Sequence, residues 1–179
     1  LAREFQMQVI ILVRHPAAFA NSLMNAGWAH PFEDFVLQEN FMNTYGKKFS
    51  KCIRKYSIKK KQLLDQAILL WNIIYSTANK FRSRNEDWIF VRHEDLSREP
   101  VVEFRHLYQK LGLNFTSEIE EKIIEYSKAS NNGSTNGIKE IKINSRKNIY
   151  NWKNSLDELQ IEKIKEETAP YWQYYYDEK

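Results

Sequence analysis

The chain has 179 residues, of which 42% are hydrophobic and 28% charged, and this composition is typical of one globular domain with a substantial core. Its net charge of +4 indicates a mild preference for anions but does not by itself identify a nucleic-acid-binding protein. The single cysteine, Cys52, excludes an intrachain disulfide and a multi-cysteine zinc site, and no apolar run is long enough to span a membrane.

The first clear pattern is a strand followed directly by a helix. Val9–Val13 is a continuous apolar run rich in β-branched residues, which predicts a strand buried on both faces of a parallel sheet. Pro16 ends this strand and suits the first turn of a helix, for which Gly27 is a plausible stop. Arg14 is therefore expected at the carboxyl end of a strand, where open α/β sheets bind ligands, with Ser22 on the next helix. A guanidinium and a hydroxyl that converge there suit a phosphate.

The next part of the chain combines apolar periodicity with a concentration of positive charge. Apolar side chains at helical spacing predict one helix over residues 32–45. Residues 46–57 are basic and only weakly periodic, which predicts a surface loop or a frayed helix. The positive charges of this region are Lys47, Lys48, Lys51, Arg54, Lys55, Lys59, Lys60 and Lys61. They form either a solvated surface or a docking surface for an acidic acceptor such as a polysaccharide or an acidic peptide.

A long helix and a second strand complete an α/β pattern. Residues 60–82 carry apolar side chains at i, i+3 and i+4 over several turns, which predicts a core helix. Trp88–Val91 predicts a second buried strand, and a helix between two such strands is the crossover of a parallel sheet. This strand is followed by His93, Glu94 and Asp95, which are too few ligands to predict a metal site.

The remaining residues predict further helices and a basic loop. Residues 100–111 predict one helix, and Ser117 begins another that extends through Ser127. Arg146 and Lys147 follow a polar, turn-rich segment. A loop that carries these two cations could fold down onto a phosphate and exclude water from it.

Three of these segments together resemble sulfotransferases that use 3′-phosphoadenosine 5′-phosphosulfate (PAPS). Arg14-His15-Pro16 with Ser22 eight residues after the arginine resembles their 3′-phosphate-binding segment, although the family more often has Asp or Asn at the position of His15. His93-Glu94-Asp95-Leu96 resembles a (Y/H)-E-D-L run at the end of a strand. Arg146-Lys147-Asn148, followed by Trp152-Lys153, resembles the R-K-G…W-K segment, with asparagine in place of the glycine.

The resemblance implies a fold, a reaction and a set of cofactor-binding residues. The fold would be a P-loop-NTPase-like α/β domain, a parallel sheet flanked by helices, with residues 1–179 forming one incomplete sulfotransferase-like domain. The reaction would move a sulfuryl group from PAPS to a hydroxyl or amine of an acceptor, with adenosine 3′,5′-bisphosphate as the product. The basic segment, and not the resemblance, suggests an acidic glycan as the acceptor. Arg14, Ser22, Arg146 and Lys147 would hold the cofactor, and His93 and Ser127 would contact the adenine. No metal is implied.

The sequence departs from the family where the reacting end of the cofactor binds. It contains no P-K-S-G-T-like loop to cradle the 5′-phosphosulfate, and no catalytic base is identified, His30 being a weak replacement. We therefore expect that an N-terminal part of the natural protein is missing and that this chain alone is inactive or nearly so. We also expect Arg14, Ser22 and Arg146 to enclose one anion-sized hollow at the edge of the sheet.

Two other functions fit parts of the sequence. The lysine-rich segment would also suit a non-catalytic module that binds RNA or another polyanion, although nucleic acid is not the expected partner. A fragment of a P-loop nucleotide kinase is the second alternative. The low cysteine content favours the cytoplasm, with the Golgi lumen as the alternative for a membrane-anchored eukaryotic parent.

Overall fold

Two parallel strands, β1 (Ile10–Val13) and β2 (Ile89–Arg92), form the sheet of the described residues, which are 2, 4–59, 61–127 and 149–176 of a computed structural model. Ile10 pairs with Ile89 and Val13 with Arg92, so both strands end at the same edge. The mixed α/β content and the parallel pairing confirm the coarse prediction of fold class. The carboxyl ends of the two strands are brought side by side.

Helices account for most of the remaining described residues. Between the strands lie α1 (Pro16–Ala26), α2 (Phe32–Val36), α3 (Glu39–Thr44), a 3₁₀ turn (Lys47–Phe49), α4 (Ser50–Ile58) and α5 (Leu63–Arg82). After β2 come α6 (His93–Arg98), α7 (Pro100–Lys110), α8 (Ser117–Ser127), α9 (Trp152–Ser155) and α10 (Glu158–Trp172). In these described ranges no helix combines the length and apolarity needed to cross a membrane.

The prediction that the first strand is buried on both faces is wrong. Ile11 and Val13 pack in a core cluster that includes Trp71 of α5, whereas Ile10 and Leu12 are 43% and 50% exposed. Alternate side chains of a strand point to opposite faces of the sheet. One face therefore packs on α5, and the described elements leave the other face about half open to solvent.

The boundaries of α1 follow the predicted signals. Pro16 is the first helical residue, and Gly27 ends the helix in the left-handed conformation with φ of 66°. A residue with a side chain is strained at such a φ, so glycine suits this stop. The crossover helix α5 also forms as predicted, although it begins at Leu63 rather than near residue 60.

The predicted helix over residues 32–45 is divided into α2 and α3. The division has a packing reason, since the rings of Phe35 and Phe41 stack at 4.7 Å between centroids. Residues six positions apart point in different directions on a continuous helix, so the break between α2 and α3 is what lets these rings meet.

The basic segment that follows is more ordered than a surface loop or a frayed helix. Most of it forms α4, which packs on α2. Ile53 of α4 is fully buried in a cluster with Phe32, Leu69 and Ile73. This buried isoleucine fixes which side of α4 faces solvent.

Candidate cofactor site

The main chain of Arg14 is held on both sides by buried side chains of α5. The Arg14 N–H donates to Tyr75 Oη at 2.9 Å, and the Arg14 carbonyl accepts from Trp71 Nε1 at 2.9 Å. Trp71 is fully buried and Tyr75 nearly so. The core helix therefore sets the position from which the arginine side chain leaves β1.

A buried carboxylate ties the two strand ends to the C-terminal segment. Glu94, which is 7% exposed, accepts from the His15 N–H at 2.9 Å and from Tyr176 Oη at 2.7 Å. Hydrogen bonds to a charged group are among the stronger ones in proteins. Burial, together with the charge and hydrogen bond of Glu94, raises the pKa of Tyr176, so its hydroxyl stays a donor.

His15 occupies a position where the family more often has Asp or Asn, and its contacts show that it can fill the same role as a helix cap. Its Nδ1 accepts from the Ala17 N–H at 3.2 Å and so caps α1, which is a role that Asp and Asn also fill. Its ring also stacks on Trp152 at 4.8 Å between centroids and meets the edge of Tyr176 at 5.2 Å. The histidine therefore caps α1 and joins it to α9.

Arg14 and Ser22 line one cleft of about 440 Å³ between α1 and α9. The other lining residues are Ala18, Asn21, Asn25, Ala26, Asn151, Trp152, Asn154 and Ser155. None of these lining residues is acidic. Arg14 Nε is buried and has no hydrogen-bond partner among the described residues. A buried guanidinium donor beside hydroxyl and amide groups suits an anion, because a buried charge is costly unless it is paired.

His93 and Ser127, two of the other predicted cofactor residues, do not line this cleft. His93 begins α6 and does not line the cleft; burial lowers its pKa, Glu94 opposes this shift, and the charge of Arg14 adds to it. Ser127 ends α8 and lines a separate cavity of about 530 Å³ between α7 and α8. Arg146 and Lys147 lie outside the described residues.

A third cavity of about 490 Å³ lies beyond the end of α1. Its lining residues are Ala29, His30, Pro31, Glu33, Tyr56, Ser57, Ile58 and Gln66. Burial lowers the pKa of His30 although Asp34 and Glu33 oppose this shift. The His30 main-chain N–H donates to Gln66 Oε1 at 3.2 Å, which joins this loop to α5.

Sequence reasoning missed the residues that position Arg14. The His93-Glu94-Asp95 run placed Glu94 after a strand but did not reveal its partners, which are 79 and 82 residues away along the chain. Tyr176 had no sequence signal beyond being one of several C-terminal aromatics. The core helix that carries Trp71 was predicted, but the hydrogen bond from Trp71 to Arg14 was not.

The comparisons with known proteins give one finding. A family model described as a sulfotransferase domain matches residues 3–172. Searches of the curated proteins and of the solved structures find no match. Because the family match covers nearly the whole chain, it confirms the family to which the three sequence segments pointed. This chain belongs to the sulfotransferase domain family.

Proposed function

We propose that this protein transfers a sulfuryl group from PAPS to a hydroxyl or amine of an acceptor, and that the cleft between α1 and α9 holds the 3′-phosphate of PAPS. The observation that carries this proposal is the shared cleft of Arg14 and Ser22, which no acidic side chain of the described residues lines. The resemblance in sequence assigns these two residues to the 3′-phosphate, and their common location supports that assignment.

The donors of the cleft fit a phosphate. The planar guanidinium of Arg14 can present two N–H groups to two phosphate oxygens, and the Ser22 hydroxyl can donate to a third. The buried Arg14 Nε supplies a donor that no described residue uses. Asn and Ser side chains along α1 and α9 add neutral donors to the same cleft.

The chain contributes to the reaction by positioning. PAPS supplies the sulfuryl group, and transfer in line between two oxygens depends on holding donor and acceptor in place, as phosphoryl transfer does. The bonds from Tyr75, Trp71 and Glu94 to the main chain of residues 14 and 15 fix the phosphate-binding arginine before ligand arrives. Less ordering on binding leaves more of the contact energy available for affinity.

The remaining cofactor contacts are part of the same proposal. His93 would present a ring of lowered pKa, and hence a mostly neutral one, to the adenine. Ser127 would reach the adenine as well, and Arg146 and Lys147 would cover the phosphate. A glycan as acceptor, and a P-loop-like sheet around β1 and β2, also belong to this proposal.

Calorimetric titration with adenosine 3′,5′-bisphosphate tests the site. The wild-type protein should bind it saturably, and Arg14→Ala should bind about 10- to 100-fold more weakly, because a hydrogen bond to a charged group contributes about 1.5–3 kcal/mol. Arg54→Ala on α4 removes the same charge outside the cleft and should change affinity less than about twofold. Urea unfolding should show both variants folded.

A second ligand separates the 3′-phosphate contact from general anion binding. Adenosine 5′-monophosphate lacks the 3′-phosphate, so the wild type should prefer the bisphosphate and Arg14→Ala should lose that preference. Equal losses for both ligands would show that Arg14 does not contact the 3′-phosphate. Tighter binding of ATP with magnesium than of the bisphosphate would favour a nucleotide kinase instead.

A further inference from the structure

We infer that α4 and the 3₁₀ turn before it dock an acidic polysaccharide, and that one sugar of this acceptor enters the cavity at the end of α4. The basic surface is defined by the exposed residues Lys47, Lys48, Lys51, Arg54, Lys55 and Lys59. The inference rests on the proposed transferase function and its glycan acceptor, for which it names the charge of the acceptor and the surface that docks it.

The charge of this surface is unbalanced. No acidic residue lies between Glu39 and Asp65, whereas eight lysines and arginines do. The whole chain carries a net charge of +4, so the residues outside this segment carry a net charge of −4. Within the described part of the chain, no carboxylate forms an ion pair with a member of the basic surface. Like charges spaced four apart on α4, such as Lys51 and Lys55, destabilise the helix unless an anion screens them.

The core fixes the direction in which these cations point. Ile53 is fully buried against Phe32 and Leu69, so the opposite side of α4 faces solvent. Lys51 and Lys55 are one turn apart on that side, about 6 Å from one another along the helix. The basic surface is therefore an ordered row of cations on a packed helix, matched to a polymer with repeated negative charges.

The row leads to a cavity near the cofactor cleft. Tyr56, Ser57 and Ile58, from the last turn of α4, line the 490 Å³ cavity together with Ala29. Ala26 lines the cleft of Arg14 and Ser22, and Ala29 is only three positions further along the chain, so their Cα atoms lie within about 11 Å. The hydroxyls of Tyr56 and Ser57 and the carboxylate of Glu33 suit a ligand rich in hydroxyl groups. The amide of Gln66, which also lines the cavity, is already bonded to the main chain of His30 and Lys61.

The exposed side of α4 suits a polysaccharide better than other polyanions. The exposed described residues from Lys47 to Lys59 include no aromatic side chain, which single-stranded nucleic acid would use for stacking. Acidic motifs in peptides are recognised by clusters of arginines, whereas the basic surface contains only one arginine, Arg54, beside five lysines. Lysine-rich segments of this kind are a known pattern both for nucleic acids and for heparin-like ligands, and the lack of an exposed stacking ring favours the second.

The test compares two variants of equal net charge. In one, Lys51, Arg54 and Lys55 are all changed to Gln; in the other, Arg105, Lys110 and Lys122, which are exposed on α7 and α8, are changed to Gln. Each protein is titrated with a heparin octasaccharide, a poly-glutamate peptide of equal charge and a 20-nucleotide RNA, at 50 and 300 mM NaCl. The first variant should bind the octasaccharide at least tenfold more weakly than wild type, and the second within about twofold.

Salt dependence and cofactor binding complete the test. The logarithm of the octasaccharide affinity falls linearly with the logarithm of the salt concentration, and the slope of this line should be smaller by about two to three in the first variant, since fewer counterions are released on binding. Equal losses in the two variants, or tighter binding of the RNA or the peptide by the wild type, would overturn the inference. Both variants should bind adenosine 3′,5′-bisphosphate like wild type. A failed bisphosphate titration with intact octasaccharide binding would refute the transferase while leaving a polysaccharide-binding surface.

Discussion

Arg14 and the cations of the basic surface carry the same charge, but the structure holds them in different ways. The buried side chains of Tyr75, Trp71 and Glu94 form hydrogen bonds with the main chain of residues 14 and 15. In the basic surface, Lys51, Arg54 and Lys55 are exposed on α4, and the Lys48 ammonium lies over the ring of Tyr171 at 5.0 Å from its centroid. The first arrangement is prepared for one anion in one position, whereas the second attracts a polyanion through the sum of many weak contacts.

Glu94→Ala should have the largest effect, because it removes the carboxylate that joins both strand ends. The His15 N–H and the Tyr176 hydroxyl would lose their partner, and we expect the free energy of unfolding to fall by about 3 kcal/mol. Urea unfolding measures this change, and Glu125→Ala on the exposed side of α8 is the control, with an expected loss under about 0.5 kcal/mol. A loss no greater than the control would mean that the strand ends are held by other contacts.

Tyr176→Phe should have an intermediate effect that depends on pH. It removes one hydrogen bond to Glu94 but keeps the ring beside His15, so about 1 kcal/mol should be lost near neutral pH. Since the pKa of Tyr176 is raised by burial and by Glu94, its contribution to stability is present below about pH 10 and is lost as pH rises further.

The alkaline fall in stability should therefore be shallower in Tyr176→Phe than in wild type. Unfolding followed by circular dichroism between pH 8 and about pH 11 measures the slope. Tyr174→Phe is the matched control because Tyr174 is 66% exposed, and this variant should follow the wild-type curve. Parallel curves for Tyr176→Phe and wild type would contradict the buried contact with Glu94.

Lys55→Gln alone should have the smallest effect. One exposed cation among six contributes little by itself, so octasaccharide binding should weaken by less than about threefold and stability should not fall measurably. Fluorescence titration at low salt measures the affinity. A tenfold loss from this single change would place a specific anion site at Lys55 and remove the contrast with Arg14.

The local signals of the sequence predicted the elements around Arg14 correctly. Pro16 and Gly27 mark where α1 begins and ends, and the long apolar periodicity predicted α5. These features depend on backbone chemistry and on residues close in sequence, so they can be read without knowing the fold. The sequence also predicted one hollow enclosed by Arg14, Ser22 and Arg146. Arg14 and Ser22 line one cleft, since a strand end and the following helix are joined by one short connection, and Arg146 lies outside the described residues.

The errors and omissions came from contacts between distant parts of the chain. Whether Ile10 and Leu12 are buried depends on which elements cover the sheet, and an apolar run does not contain that information. Glu94 meets Tyr176 across 82 residues, and neither residue's neighbours indicate the pairing. The same limit applies to the break between α2 and α3, which follows from the stacking of two rings.

The position of the chain's single thiol gives a practical consequence. Cys52 is exposed on α4, between Lys51 and Arg54 of the basic surface. Because there is no second cysteine, a maleimide dye would attach at this site alone without any engineered residue. The emission of such a dye would report polymer arriving on α4 in real time, while a nucleotide entering the cleft of Arg14 would leave the signal unchanged.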